Sequence, residues 1–126
     1  MRRRHAGLAL SANQRLLYLT DAASNQIHVF SVSGDGVLVE GRIFATLESP
    51  APGAAGGIKT DQAGNIYCAG PKGVWIFDEG GRHLGTIAVP ETPANIGWGD
   101  DFKTLYVTAE TSLHKIRFNA SGTRTF

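Results

Sequence analysis

The stretch GGIKTDQAGNIYCAGPKGVWIFDEGGRHLGTI, residues 56–87, decides the fold. Its apolar segments are of strand length and rich in Ile, Val, Thr and aromatic residues, and polar turns such as DQAGN and DEGG separate them. Side chains alternate across a strand, so the pairs Val74/Ile76 and Trp75/Phe77 would face opposite sides of a sheet. No apolar rhythm of 3.6 residues reaches helical length. The stretch predicts four antiparallel strands.

Two further stretches repeat this layout, GLALSANQRLLYLTDAASNQIHVFSV from Gly7 and NIGWGDDFKTLYVTAETSLHKIRFN from Asn95. The first repeat continues into a fourth apolar segment, GRIFATLE, and the stretch above into HLGTIAVP, whereas the third stops after SLHKIRF. Four strands per unit at a period of about 40–50 residues are typical of the blades of a β-propeller. We predict an all-β fold in which residues 1–126 form one partial propeller domain. Its blades would span about 6–49, 56–90 and 94–119, and the third would lack its outer strand.

The composition excludes several classes of function. The 126 residues include 42% hydrophobic residues and carry a net charge of +1, which is typical of one globular domain. The only clustered cations are Arg2, Arg3 and Arg4, which we predict to be a solvated tail, so no nucleic-acid surface is expected. No run approaches the roughly 20 apolar residues that cross a membrane, so no membrane association is expected. The start MRRRHAGLALSAN is no convincing signal peptide, which leaves the compartment unknown and the cytoplasm as the default.

Cys68 is the single cysteine of the chain, so no disulfide can form within it. It lies in the apolar run NIYCAG, which favours a buried, unreactive thiol over a nucleophile.

The strand order predicts where a site on the propeller axis would lie. The first strand of each blade lines the axis and the second is antiparallel to it, so the start of one and the end of the other share a face. The strand starts are Ala6, Gly56 and Ala94, and the strand ends are Asp21, Gly70 and Glu110. Any site on the axis would be built from these positions.

Two more polar residues belong to this face. Asn95 follows directly on Ala94 and is the best candidate for a substrate contact, although a structural role in a turn is the alternative. His5 adjoins Ala6, where an imidazole could bind a softer metal or act as a base; the alternative is a surface histidine. Asp21, Asn95, Glu110 and His5 are therefore the candidates on the substrate face, and no catalytic residue is assigned.

The three repeats resemble the family of senescence marker protein, gluconolactonase and luciferin-regenerating enzyme. The resemblance rests on GLALSANQRLLYLTD, on GIKTDQAGNIYCAGPKGVWIFDEGGRHLGTI and on TPANIGWGDDFKTLYVTAETSLHKIR, which together cover nearly the whole chain. It implies the C-terminal half of a six-bladed propeller that holds Ca²⁺ or another divalent cation on its axis. It also implies metal-dependent hydrolysis of sugar lactones.

The chain departs from the family pattern at two metal ligands. The family has an Asn in an NG pair before the strand matching GLALS, and an Asp in a DG pair before the strand matching GIKTD. Here the two positions are Ala6 and Gly56, which have no side-chain oxygen, whereas calcium takes several oxygen ligands. We therefore expect no metal site in this chain and no catalysis by the chain alone.

Two hypotheses follow. In the first, the chain is a gluconolactonase-like propeller fragment that is inactive alone and whose small-molecule partner would be a sugar lactone. In the second, it is a binding or assembly module that forms a homodimer, in which two sets of three blades complete a six-bladed ring.

Overall fold

The computed structural model describes residues 5–118 and residue 122. It contains eleven strands in three antiparallel sheets that follow one another along the chain. The first sheet comprises β1 (His5–Leu10), β2 (Leu16–Asp21), β3 (Gln26–Val32) and β4 (Leu38–Thr46). The second comprises β5 (Ile58–Thr60), β6 (Ile66–Gly70), β7 (Gly73–Phe77) and β8 (His83–Ala88). The third comprises β9 (Pro93–Trp98), β10 (Thr104–Ala109) and β11 (Leu113–Arg117).

Polar turns connect neighbouring strands as the sequence predicts. In the β5–β6 hairpin Gly64 has φ +91°, and in the β7–β8 hairpin Gly81 has φ +90°, a backbone region that glycine adopts without strain. An aspartate begins each of these turns. Asp61 Oδ1 accepts hydrogen bonds from the backbone N–H groups of residues 63 and 65, and Asp78 Oδ1 accepts them from residues 80 and 82. Local chemistry therefore specifies both turns.

The sheets pack face to face, and the alternation along β7 decides which side chains meet. Trp75 and Phe77 belong to the core between the first and second sheets. Val74 belongs to the core between the second and third sheets, and Ile76 packs against it. The predicted division of these four residues between two faces is confirmed.

The first strands of the three sheets lie side by side. Thr60 Oγ1, at the end of β5, donates to the Leu10 carbonyl of β1 at 2.8 Å. Near the other end of β5, the Gly57 N–H donates to the Ala94 carbonyl of β9 at 3.0 Å. Inner strands that adjoin in this way are the arrangement of propeller blades around an axis. The prediction of an all-β partial propeller is confirmed, and within residues 5–118 and 122 the third sheet has three strands.

The outer faces of the first and third sheets are open to solvent. On the first sheet, one row of paired residues crosses all four strands and consists of Leu8, Leu19, His28 and Ile43. The side chains at the two ends of this row are the most open, with Leu8 62% and Ile43 54% exposed. On the third sheet, Tyr106 is exposed between Gly97 and Lys115. The described residues contain no helix long and apolar enough to cross a membrane.

Candidate functional site

The candidate axial site is the rim at which the first strands begin. A Cβ atom added at Gly7 would lie 3.1 Å from the Gly56 carbonyl oxygen, so these two strand starts are in close contact. Thr20 Oγ1, on β2, donates to the same Gly56 oxygen at 2.9 Å. On the other side, the Gly57 N–H is bonded to the Ala94 carbonyl. The structure thus brings the three strand starts together at one rim.

Gly56 and Gly57 lie where the rim has no room for a side chain. A Cβ atom at Gly56 would collide with the Ala94 carbonyl oxygen. A Cβ atom at Gly57 would collide with Asn95 Oδ1 and would lie 3.0 Å from the Asn95 Cα atom. Because the Gly56 N–H also donates to the Ala69 carbonyl at 2.9 Å, this segment is held from both sides. Glycine therefore permits the close approach of β5 to β9.

Asn95 lies on β9 with its side chain exposed next to Gly57. Its Oδ1 atom accepts a hydrogen bond from the Ile96 N–H at 2.9 Å. This contact is local, but it lies within strand β9 and not in a turn, which was the alternative role considered above. The residue also borders a cavity of about 240 Å³ on the open face of the third sheet, together with Tyr106 and Thr108. Asn95 is thus a strand residue whose exposed polar side chain a small molecule can reach.

The other candidates are distributed around the rim. Asp21 ends β2 and is 5% exposed, and its Oδ1 atom accepts a hydrogen bond from the Ala23 N–H at 3.0 Å. Glu110 directly follows β10 and is exposed. The backbone of His5 pairs with Asp21 at the start of β1, but its side chain lies outside what the structure describes, as do Arg2, Arg3 and Arg4. Outside the strand pairing, the hydrogen-bonding partners of Asn95 are Ile96 and Thr108, and neither Asp21 nor Glu110 is among them.

The described residues of the rim do not fit a hard divalent cation. Ala6 and Gly56 have no side-chain oxygen, and the Gly56 and Ala94 carbonyls already accept hydrogen bonds. Among residues 5–118 and 122, no group of three His, Cys, Asp or Glu side chains is placed to hold a metal. Calcium normally requires six to eight oxygen ligands, including carboxylates.

The sequence and the backbone place this protein among known relatives. The model of the SMP-30/Gluconolactonase/LRE-like family matches residues 4–111. The chain belongs to this family. A gluconolactonase of Zymomonas mobilis subsp. mobilis is 30% identical over 125 residues, an alignment that covers 92% of this chain and 35% of that protein. The chain therefore spans about a third of the length of this curated relative.

Solved structures of the family have the same fold. A gluconolactonase from Xanthomonas campestris is 28% identical, with a TM-score of 0.78 over 94% of this chain and 37% of that chain. Regucalcin from Agrobacterium tumefaciens, a calcium-binding protein, is 18% identical, with a TM-score of 0.78 over 97% of this chain and 48% of that chain. At 18% identity the similarity to regucalcin supports the fold alone.

The thiol of this family member is buried as the sequence predicts. Cys68 on β6 is fully enclosed in the core between the first and second sheets. Burial raises the pKa of the Cys68 thiol to about 12, because the thiolate would lose its hydration. The thiol therefore stays protonated at neutral pH and is not a nucleophile.

Sequence reasoning missed the burial of Asp61. Its turn role was predicted, but the side chain is also fully enclosed, and its Oδ2 atom accepts hydrogen bonds from Tyr67 Oη at 2.7 Å and Asn65 Nδ2 at 3.0 Å. The backbone of Asp61 further pairs with Gly122. The signal in the sequence was the tyrosine six residues after the aspartate, on the strand that returns from the turn. The result is a saturated structural carboxylate.

A Glu91, Ser112 and His114 cluster lies beside the β10–β11 hairpin. Ser112 Oγ contacts the Glu91 carboxylate and lies 2.9 Å from His114 Nε2. An ionised carboxylate can only accept, so Ser112 donates to Glu91, and Nε2 must then donate to Ser112 Oγ. The hydroxyl groups of Ser112 and Thr111 hold the pKa of Glu91 below its usual range. Because the imidazole cannot take the serine proton here, this arrangement is not that of a catalytic serine.

Proposed function

We propose that this chain forms three blades of a gluconolactonase-like propeller and does not hydrolyse sugar lactones by itself. The reaction of the family, as the resemblance implies it, is metal-dependent lactone hydrolysis. The observation that carries the proposal is the packing of Gly56 against the Ala94 carbonyl. The position at which the family has an aspartate is therefore filled by backbone from the neighbouring blade.

The chemistry of lactone hydrolysis supports this proposal. Attack by water on the ring carbonyl needs a group that stabilises the developing negative charge and a base that takes a proton from the water. At the described rim, Asn95 is a neutral hydrogen-bonding group, and Asp21 is buried and bonded to backbone. Asn95 could orient a lactone hydroxyl, but it cannot act as the base.

We expect the purified chain to hydrolyse D-glucono-δ-lactone at the uncatalysed rate, with or without millimolar Ca²⁺, in a pH-indicator assay. Gly56→Asp is not expected to restore turnover, because its side chain collides with the Ala94 carbonyl. The same collision should lower the free energy of unfolding by about 1–3 kcal/mol.

Gly85→Asp on β8 is the matched control, because a Cβ atom at Gly85 meets nothing within 4 Å. Its free energy of unfolding should change by about 0.5 kcal/mol or less. Calcium-dependent turnover by the unmodified chain that EDTA abolishes would contradict the proposal.

A second candidate function is assembly of two chains into one closed ring. Leu8, Leu19 and Ile43 form an apolar row on the open face of the first sheet, and two of the three are more than half exposed. Inside this protein, corresponding faces are buried against the next sheet. A second copy would supply three further sheets, which is the number that a six-bladed ring requires.

We expect sedimentation equilibrium to give about twice the 13.4 kDa mass of the chain if this assembly forms. Ile43→Lys should then shift the mass to that of the monomer, because it places a charge in the buried interface. Leu84→Lys, at a position on β8 that is 48% exposed, is the control and should leave the dimer intact. A monomer for the unmodified chain at all concentrations would exclude the assembly.

A further inference from the structure

Neighbouring sheets in this chain meet through two different faces. We call the face that a sheet turns to the next sheet along the chain its leading face, and the face that it turns to the preceding sheet its trailing face. Tyr18 and Tyr67 belong to leading faces, because they lie in the cores between the first and second and between the second and third sheets. The leading face of the third sheet and the trailing face of the first have no neighbouring sheet among the described residues.

The leading face of the third sheet carries side chains that the other two sheets bury. Tyr106 has the place on the second strand of its sheet that Tyr18 and Tyr67 have in theirs, but it is 41% exposed whereas they are 2% and 3% exposed. Leu113 shows the same contrast, because it is 65% exposed while its two counterparts are fully buried. These counterparts, each paired with the residue two positions after the tyrosine, are Ile27 and Val74.

The trailing face of the first sheet is apolar at positions that are buried in the other two sheets. Leu8 and Leu19 are paired across its first two strands, and Leu8 is 62% exposed. Their counterparts pair in the same register and are at most 4% exposed. They are Ile58 with Cys68 in the second sheet and Ile96 with Val107 in the third. Each open face therefore has the residue pattern of one half of an internal interface.

A threonine at the rim shows how one sheet bonds to the next. Thr20 is fully buried, and its Oγ1 atom donates to the carbonyl opposite it in its own sheet at 3.3 Å and to the Gly56 carbonyl of the second sheet at 2.9 Å. Thr108 is its counterpart in the third sheet, and it donates in the same way to its own Asn95 carbonyl at 3.3 Å but is exposed. The group that corresponds to the Gly56 carbonyl in a first sheet is the carbonyl of Ala6.

One residue of the leading face of the third sheet differs in polarity from its counterparts. Lys115 pairs with Tyr106, whereas Val29 and Ile76 pair with the tyrosines of the other two sheets. It lies on β11, which is the last strand of the third sheet among the described residues. A lysine can lay its methylene groups along an apolar surface and keep its ammonium group in water beyond the edge of the sheet. Lys115 therefore fits the border of a buried contact.

We propose that the leading face of the third sheet of one copy packs on the trailing face of the first sheet of a second copy. The proposal rests on the two-chain assembly described above and names the surfaces that form it. A second copy is the occupant because this chain pairs a leading face with a trailing face at both of its internal interfaces. Since each copy has one open face of each kind, the same contact is made twice and closes a ring of six sheets.

The internal contacts predict which side chains meet across the two copies. Within the chain, Tyr67 packs edge to face on Trp98 of the next sheet, with ring centroids 5.2 Å apart. Leu10 has the place in the first sheet that Trp98 has in the third, because each ends the first strand of its sheet. Tyr106 of one copy therefore packs on Leu10 of the other.

Sedimentation equilibrium of two variants at Thr108 tests the expected hydrogen bond to the Ala6 carbonyl of the second copy. Thr108→Val keeps the shape of the side chain and suits a strand, but it removes the donor. Because the contact is made twice, this variant should raise the dissociation constant of the dimer about 5- to 100-fold. Thr108→Ser retains the hydroxyl and is the matched control, which should dimerise as the unmodified chain does.

Cross-linking tests which faces meet, at a concentration at which the unmodified chain sediments as a dimer. Leu8→Cys and Leu113→Cys place thiols on the two open faces, and Cys68 is fully enclosed, so a maleimide does not reach it. A flexible bismaleimide that spans sheets packed about 10 Å apart should join the two variants when they are mixed, and should not join either variant to itself. Leu84→Cys, on the outer strand of the second sheet, is the control and should give no product with Leu113→Cys.

Three results would overturn the inference. A cross-linked product from Leu8→Cys alone would show that two first sheets face each other, so that the dimer forms through other surfaces. Equal dissociation constants for Thr108→Val and Thr108→Ser would show that the hydroxyl makes no contact with the second copy. A monomer for the unmodified chain at all concentrations would exclude the assembly itself, and sedimentation distinguishes this result from the first two.

Discussion

Replacing Asp61 with Ala is expected to lower the free energy of unfolding by about 3–5 kcal/mol, because it removes a fully buried acceptor from four donors. The Tyr67 hydroxyl would remain buried without its partner at 2.7 Å. The Asn65 side-chain amide and the backbone N–H groups of the turn would also lose their hydrogen-bond acceptor. Since small domains are stable by only about 5–15 kcal/mol, we expect a large share of the variant molecules to unfold at moderate denaturant.

Asp78 offers a matched control for this prediction. It begins the β7–β8 turn with the same two backbone hydrogen bonds, but its side chain is 34% exposed and its ion pair with Arg82 lies at the surface. Asp78→Ala should cost about 1 kcal/mol, because water can solvate the groups that it leaves unpaired. Urea unfolding followed by tryptophan fluorescence measures both variants. Equal losses would show that burial of the Asp61 carboxylate does not matter.

Replacing Phe77 with Ala is expected to lower the free energy of unfolding by about 3–5 kcal/mol. Phe77 is 1% exposed at the end of β7, and it packs on Phe44 with ring centroids 6.3 Å apart and on Trp75 with centroids 6.4 Å apart. The substitution leaves a cavity between the first and second sheets. The two sheets would then lose part of the contact that holds the blades together.

Two further variants test whether the loss of stability in Phe77→Ala comes from the cavity. Phe77→Leu retains most of the volume and should cost less than about 1.5 kcal/mol if the core repacks. Leu84→Ala removes apolar atoms from a side chain that is 48% exposed and should cost about 0.5 kcal/mol or less. Denaturant unfolding gives all three values, and similar losses for Phe77→Ala and Leu84→Ala would contradict the packing argument.

The alternation in GVWIF illustrates what a sequence pattern can predict. A strand places neighbouring side chains on opposite faces by its backbone geometry alone, so the separation of Val74 and Ile76 from Trp75 and Phe77 followed from their order. The turns followed in the same way, because Asp61 and Asp78 bond to backbone groups two and four residues away. These features depend on interactions that are local in the chain.

The candidate site shows the opposite case. The strand pattern predicted that Gly56 and Asn95 would lie at one rim, but it could not show that the Ala94 carbonyl occupies the space beside Gly56. Nor could it show which tyrosine hydroxyl would meet a buried carboxylate, since both Tyr18 and Tyr67 follow a polar turn at similar positions of the repeat. Only Tyr67 has an aspartate within reach.

The amino-acid sequence by itself determined the strands, the turns, the repeated blade and the lack of a side-chain oxygen at Ala6 and Gly56, because these depend on residue type and on neighbours along the chain. Tertiary structure alone decided which blade covers Gly56, which carboxylate is saturated and which tyrosine hydroxyl donates to it. The physical reason is that these properties arise where residues from different sheets meet. Such contacts depend on the distance and angle between blades, which no single repeat encodes.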